Sequence, residues 1–255
     1  MAPRGIFVTG TDTGVGKTIV AATLARLLRM NGVSVGVMKP VTSGCRQEDG
    51  RLVSDDARLL CQAAGVELCD DVAPYRLREA VAPAEAARID GVRIDFSHIR
   101  SAFARLAAAY QYVIVEGAGG LMVPLAGGLL VADLARELEL PLLVVARSGL
   151  GTINHTVLTC FAARQSGLQV AGVIINGMPA SPGLAEQGAP HQIGSLCGAP
   201  VLGIWPQRDE IDEMEIVDEL AVWLDGQAET PIVLRELGVT PLNPPLSGGR
   251  LRSLP

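Results

Sequence analysis

Two lysines and a glutamate stand in settings that suit phosphoryl chemistry. Lys17 closes the segment Gly10-Thr11-Asp12-Thr13-Gly14-Val15-Gly16-Lys17-Thr18. Small residues let backbone N–H groups curl around phosphate oxygens, and a helix that follows adds its positive N-terminus. In such a loop Lys17 reaches the β- and γ-phosphates of a nucleotide, and the Thr18 hydroxyl can ligate Mg2+. One position departs from the strict pattern: Thr11 stands where the first glycine is usual, and Gly10 comes one residue early. Lys39 follows the apolar run 33–38, and Pro40 stops that run. A second cation there would stabilise charge in phosphoryl transfer; the plainer reading is a solvated lysine at a strand end. Val41-Thr42-Ser43-Gly44 then offers hydroxyls and a flexible backbone. Glu116 ends the run 112–115 and opens Gly117-Ala118-Gly119-Gly120. A carboxylate so placed can hold Mg2+ directly or through water. The alternative is a surface glutamate in a glycine turn.

Other signals admit two readings each. Asp55 and Asp56 follow Ser54, where acids ordinarily favour a helix dipole. The segment from Gly149 through Gly151 and Asn154 to His155 reads as a second glycine loop opening a helix, fit for an anion such as a carboxylate. Asn176 closes an apolar run; its amide both donates and accepts, which suits an adenine edge, though asparagine is also common in turns.

The elements that must position these residues alternate in type. Strands are expected at 6–9, 33–38, 112–116, 142–146, 170–176 and 201–204. Helices are expected at 17–30, 55–63, 97–109, 131–138, 152–166, 184–197 and 210–224. This alternation predicts an α/β fold, a mostly parallel β-sheet with helices on both faces. Ligands of such sheets bind at the carboxyl ends of the strands. From Gln227 the composition shifts: five of the sixteen prolines fall there, with Asn243-Pro244-Pro245 and Ser247-Gly248-Gly249 as breakers. The expected organisation is therefore one domain over residues 1–226 and a mobile, Pro/Gly-rich tail over 227–255, with a tail docked through Ile232, Val233 and Leu234 as the lesser reading.

Composition narrows the function. With 255 residues and 49% hydrophobic content the chain can bury a sizeable core. A net charge of −6 without a Lys/Arg run argues against a nucleic-acid groove. Five cysteines without a CxxC pair and three scattered histidines argue against a disulfide framework or a zinc site. No apolar stretch reaches membrane-spanning length, and the chain runs at once into its first strand, so a cytoplasmic location without a signal peptide is the expectation.

Four segments together resemble the dethiobiotin synthetases, members of the P-loop NTPase superfamily. They are Val8 to Thr18, Lys39 to Gly44, Val115 to Gly120, and Gly151 to His155; the likeness runs from about Ile6 to about Trp223. The resemblance implies an ATP-dependent cyclo-ligase of biotin synthesis. It would join 7,8-diaminononanoate and CO2 into the ureido ring of dethiobiotin, with Mg2+ and ATP consumed to ADP and phosphate. It further implies that Lys17 and Lys39 are catalytic, and that Thr18, Asp56 and Glu116 hold the metal. Nucleotide contacts would come from Gly14, Val15, Gly16, Lys17, Thr18, Asp56, Glu116, Gly117, Ala118, Gly119, Asn176 and Pro206. Lys39 and Ser43 would meet substrate, and Gly151 and Asn154 would hold its carboxylate from the other subunit of a homodimer. Gly14 departs from the glutamate of many members, and Gly203-Ile204-Trp205-Pro206 from their usual Gly-x-Ile-Pro. The rival reading is a MinD/ParA-like ATPase switch that binds a protein partner. Those loops usually carry an extra lysine near their start, where this chain has Thr11, Asp12 and Thr13.

Overall fold

A computed structural model of the chain describes residues 5–208 and 212–239. Six strands form its central sheet: β1 (Gly5–Gly10), β2 (Val35–Met38), β3 (Tyr112–Gly120), β4 (Leu142–Arg147), β5 (Val170–Met178) and β6 (Val201–Pro206). Their order is β6-β5-β4-β1-β3-β2, and every pairing is parallel. Each strand sits at its expected place. The second starts at Val35 rather than at 33, because Val33 is used to close the preceding helix, donating its N–H to Leu28 O at 3.0 Å.

Parallel strands covered on both faces read as continuous apolar runs, and β1, β2 and most of β4 are buried at every position. Side chains alternate between the two faces. Leu143 and Val145 point into one core with α1 (Lys17–Met30), α2 (Asp55–Ala64) and α8 (Glu213–Asp225). On the other face, residues of β3 and β4 pack with α4 (Phe96–Ala109) and α5 (Val131–Glu137), while Val144 and Ala146 meet α6 (Thr152–Gln165) and α7 (Leu184–Leu196). A short helix α3 (Pro83–Asp90) and small strand pairs such as 46–48 with 51–53 were not expected. The start of α3 carries Pro83 at its first position and Glu85 in its first turn, but its cap residue, Ala82, makes no side-chain cap hydrogen bond and the helix is only eight residues long.

The boundary after residue 226 needs correction. Residues 230–236 form a further helix, α9 (Thr230–Glu236), and Leu234, Leu237 and Val239 are buried in the same core as α1 and α8. The Tyr112 hydroxyl, itself buried, donates to Leu237 O at 2.6 Å. Burial of this apolar set outweighs the Pro-rich composition on which a mobile tail was expected from Gln227. The rest of that expected tail, 240–255, lies outside the described residues.

Candidate active site

Adjacent strands β1, β3 and β2 deliver the chemistry-bearing residues to one crevice at their carboxyl ends. Its volume is about 370 Å³. The loop between β1 and α1 forms one wall. Gly14 and Gly16 both have positive φ, 74° and 87°, a region that disfavours a side chain. At Gly16 space is also lacking: a Cβ would stand 2.2 Å from Asn176 Nδ2. Asn176, at the end of β5, donates that Nδ2–H to Val15 O at 3.1 Å and so braces the loop from behind.

Three segments meet at the floor. Lys39 Nζ lies 2.6 Å from Asp56 Oδ2 and 2.6 Å from Glu116 Oε1. The Thr18 hydroxyl donates to the same Glu116 oxygen at 2.9 Å. Glu116 is fully buried, and Lys39 is 4% exposed. Burial alone would pull the Lys39 ammonium down, but Glu116 and Asp56 outweigh it and hold the group above its ordinary value. Burial pushes the Glu116 carboxyl up, and Lys39 opposes this without cancelling it. For Asp56 burial also acts upward, but the pull of Lys39 prevails and keeps it ionised. Lys17 is buried too, with its ammonium donating to Asp12 O at 3.1 Å, and burial lowers its pKa.

Geometry separates the two adjacent aspartates. Asp55 pairs with Arg46 on the outside, whereas Asp56 turns inward to Lys39. Both occupy the first turn of α2, whose cap is Ser54: its hydroxyl accepts from Ala57 N at 3.1 Å.

The oxygens of Thr18, Asp56 and Glu116 form a hard donor set of the kind Mg2+ takes. Glu116 Oε2 is buried and lacks a hydrogen-bond partner, which leaves it available to such an ion. No cluster of three or more His, Cys, Asp or Glu side chains stands among the described residues. A set this sparse suits an ion that keeps waters and shares substrate phosphates.

Of the residues expected at the site, Gly14, Gly16, Lys17, Thr18, Lys39, Ser43, Asp56, Glu116, Ala118 and Gly119 all line the crevice. Val15 lies beneath the loop, 5% exposed. Gly117 backs the wall, where a Cβ would meet the Phe7 ring at 2.8 Å. Pro206 ends β6 in register with Met178. Gly151 and Asn154 do not join them: they open α6 and are exposed. Glu213, in the first turn of α8, lines the crevice without having been singled out. An acid at a helix start is ordinary, and only the fold brings this one over the site.

Residues 4–215 match the AAA domain family. The chain is 42% identical over 214 residues to the ATP-dependent dethiobiotin synthetase BioD of Bacillus licheniformis, a span covering 84% of this chain and 90% of that one. To the protein of the same name from Bacillus subtilis it is 42% identical over 215 residues, covering 84% and 92%. To that from Anaeromyxobacter dehalogenans it is 48% identical over 173 residues, covering 68% and 76%. Among solved structures, a ParA family ATPase from Chlorobium tepidum superposes with TM-score 0.53 at 16% identity, over 93% of this chain and 100% of that one. The MinC:MinD cell division complex of Aquifex aeolicus gives TM-score 0.57 at 15% identity, over 94% and 99%. At those identities the likeness is one of fold.

Proposed function

This chain belongs to the ATP-dependent dethiobiotin synthetases, and from that premise we propose how its crevice closes the ring. The enzyme is an ATP-dependent ligase that forms dethiobiotin. In our reading its substrates are 7,8-diaminononanoate and CO2. One amine of the diamine adds through its lone pair to CO2 and gives up a proton, which leaves a carbamate. A carbamate oxygen then attacks the γ-phosphorus of ATP and ADP departs. The second amine attacks the carbonyl carbon of this mixed anhydride, the C–O bond to phosphate breaks, the attacking nitrogen gives up a proton, and the ureido ring closes with phosphate released.

The observation that carries this reading is the position of Lys39, buried between two carboxylates on the crevice floor. Its ammonium is held charged there and stands ready to neutralise a carbamate or phosphate oxygen. Lys17 and the N–H groups of residues 14–18 take the phosphates of ATP, which need positioning and cationic stabilisation more than covalent help. Thr18, Asp56 and Glu116 would hold Mg2+, which supplies charge neutralisation on the transferred phosphoryl group. Ser43 faces the diamine. Asn176, already donating to Val15 O, keeps its Oδ1 for an adenine amino group.

The free N–H groups at the start of α6 would take the substrate carboxylate in the partner subunit. An exposed apolar row beside them supports a dimer: Leu150 is 85% exposed, Leu158 56% and Phe161 54%. In α6 Leu158 and Phe161 stand on one face, opposite the side packed on the sheet, and Leu150 lies in the turn just before the helix. Five unpaired cysteines suit a reducing, cytoplasmic setting.

The test is ATP turnover with and without the diamine. A ligase of this kind releases phosphate only when diamine and bicarbonate are both present. Lys39→Ala should lose that turnover by on the order of a hundredfold or more. Steady ATP hydrolysis that ignores the diamine would instead favour the partner-binding switch.

A further inference from the structure

Two short chain segments at the crevice are cross-linked at both ends. One runs from Lys39 to Thr42, the other from Ser54 to Asp56. The first rung is the Lys39–Asp56 ion pair at 2.6 Å. The second joins two buried hydroxyls: Ser54 Oγ donates to Thr42 Oγ1 at 3.1 Å. Thr42 is 5% exposed and Ser54 2%, so bulk water does not compete for this bond. Ser54 has its hydrogen bonds distributed on both sides, since its oxygen accepts from Ala57 N as the α2 cap while its proton goes to Thr42. The covalent path between the segments is held near its start, where Gly44 and Cys45 donate to Glu79 O and Leu77 O, and further on by the exposed Arg46–Asp55 and Arg58–Glu48 ion pairs. It passes through an exposed two-stranded turn with Asp49 and Gly50 both at positive φ.

We propose that Thr42 and Ser54 are positioning residues for ring closure: their hydroxyl pair holds Ser43 and Asp56, which both line the crevice, in one frame. Ser43 follows Thr42 directly, and Asp56 lies two residues beyond Ser54. The inference rests on the reading of this crevice as the site of ring closure. When Lys39 turns to a substrate oxygen its ion pair with Asp56 loosens. The Thr42–Ser54 bond is then the buried rung between the first turn of α2 and the substrate segment, whereas the Arg46–Asp55 pair that also spans them is exposed to solvent. The Thr42 carbonyl is tied down independently, accepting from Leu77 N at 2.8 Å, so Thr42 is the anchored partner and α2 the element held.

Thr42→Val removes the hydroxyl at nearly constant volume, and Thr42→Ser keeps it. Binding of Mn2+ together with a non-hydrolysable ATP analogue, followed by electron paramagnetic resonance, reads the Asp56 side. The KM for diamine reads the Ser43 side, and the metal-free affinity for the analogue reads the loop at Lys17. Thr42→Val should weaken Mn2+ binding about tenfold and raise the diamine KM about tenfold, the scale of one buried hydrogen bond. Metal-free affinity should stay unchanged, and Thr42→Ser should restore both parameters. Ser54→Gly, a change that helix caps tolerate, should repeat the valine result even if Thr42→Val folds poorly. Parent-like Mn2+ binding in the Val and Gly variants overturns the proposal, as does a serine variant that restores nothing. A parent enzyme that binds Mn2+ with the analogue yet makes no product contradicts the function instead, and the Mn2+ measurements still decide the role of Thr42.

Discussion

Lys17 carries a stability penalty that its proposed role at the ATP phosphates would explain. It is buried, and no carboxylate contacts its ammonium among the described residues; burial holds its pKa below the ordinary 10.5, against the pull of Glu116. The unfolded chain therefore binds this proton more tightly than the folded one. Stability contributed at this site is lowest below the folded pKa and recovers as pH rises toward 10.5. Lys17→Met, which fills the same space without charge, should melt higher than the parent at neutral pH while losing ATP turnover. Its advantage should shrink in alkaline buffer. Scanning calorimetry at pH 7 and pH 9.5 checks this, and an unchanged or lower melting temperature at pH 7 would contradict it. Residues of this kind were legible in the sequence because contiguous motifs carry them: the phosphate loop, Lys39 before Pro40, and Glu116 before four small residues. Asp56 was not separable from Asp55 by physics alone, since either acid suits a helix N-terminus. Only the fold shows that one turns to Arg46 and the other to Lys39.

At the scale of elements, strands were legible because all six are apolar runs ended by glycine, proline or polar residues. The last helix was not. Leu234, Leu237 and Val239 stand just ahead of a Pro-rich stretch, and nothing local announces that α1, α8 and β3 leave a face open for them. Burying side chains of this size is worth roughly 1.5–3 kcal/mol each. A chain stopped after Gly226 also leaves the buried Tyr112 hydroxyl without its acceptor at Leu237. We expect that truncation to lower the melting temperature by on the order of ten degrees or more, or to prevent folding. A chain stopped after Val239 keeps all of these contacts and should melt with the parent. Thermal scans of the two truncations, run together, check the assignment; equal melting temperatures for the parent and the Gly226 stop would contradict it.

At the scale of the whole molecule, the proposed diamine is long enough that its far end must rest beyond the crevice. The crevice holds Lys17, Thr18, Asp56 and Glu116, the residues proposed for phosphate and metal, while Gly151 and Asn154 lie outside it at the exposed start of α6. A twofold dimer would set this start against the partner's crevice, and the apolar row at Leu150, Leu158 and Phe161 offers the surface. Phe161→Asp should therefore give a monomer in sedimentation velocity, with the diamine KM raised and nucleotide binding kept. A monomeric variant with full turnover would count against shared sites. The central claim is that a carbamate oxygen attacks ATP, and one measurement tests it directly. The enzyme is mixed with the diamine, ATP, Mg2+ and doubly labelled 13C,18O carbon dioxide, then quenched before label exchanges with water. Mass spectrometry should find dethiobiotin carrying 13C and 18O at its ring carbonyl, and released phosphate carrying one 18O. Ring-labelled product with unlabelled phosphate, or labelled ADP in its place, would contradict the account.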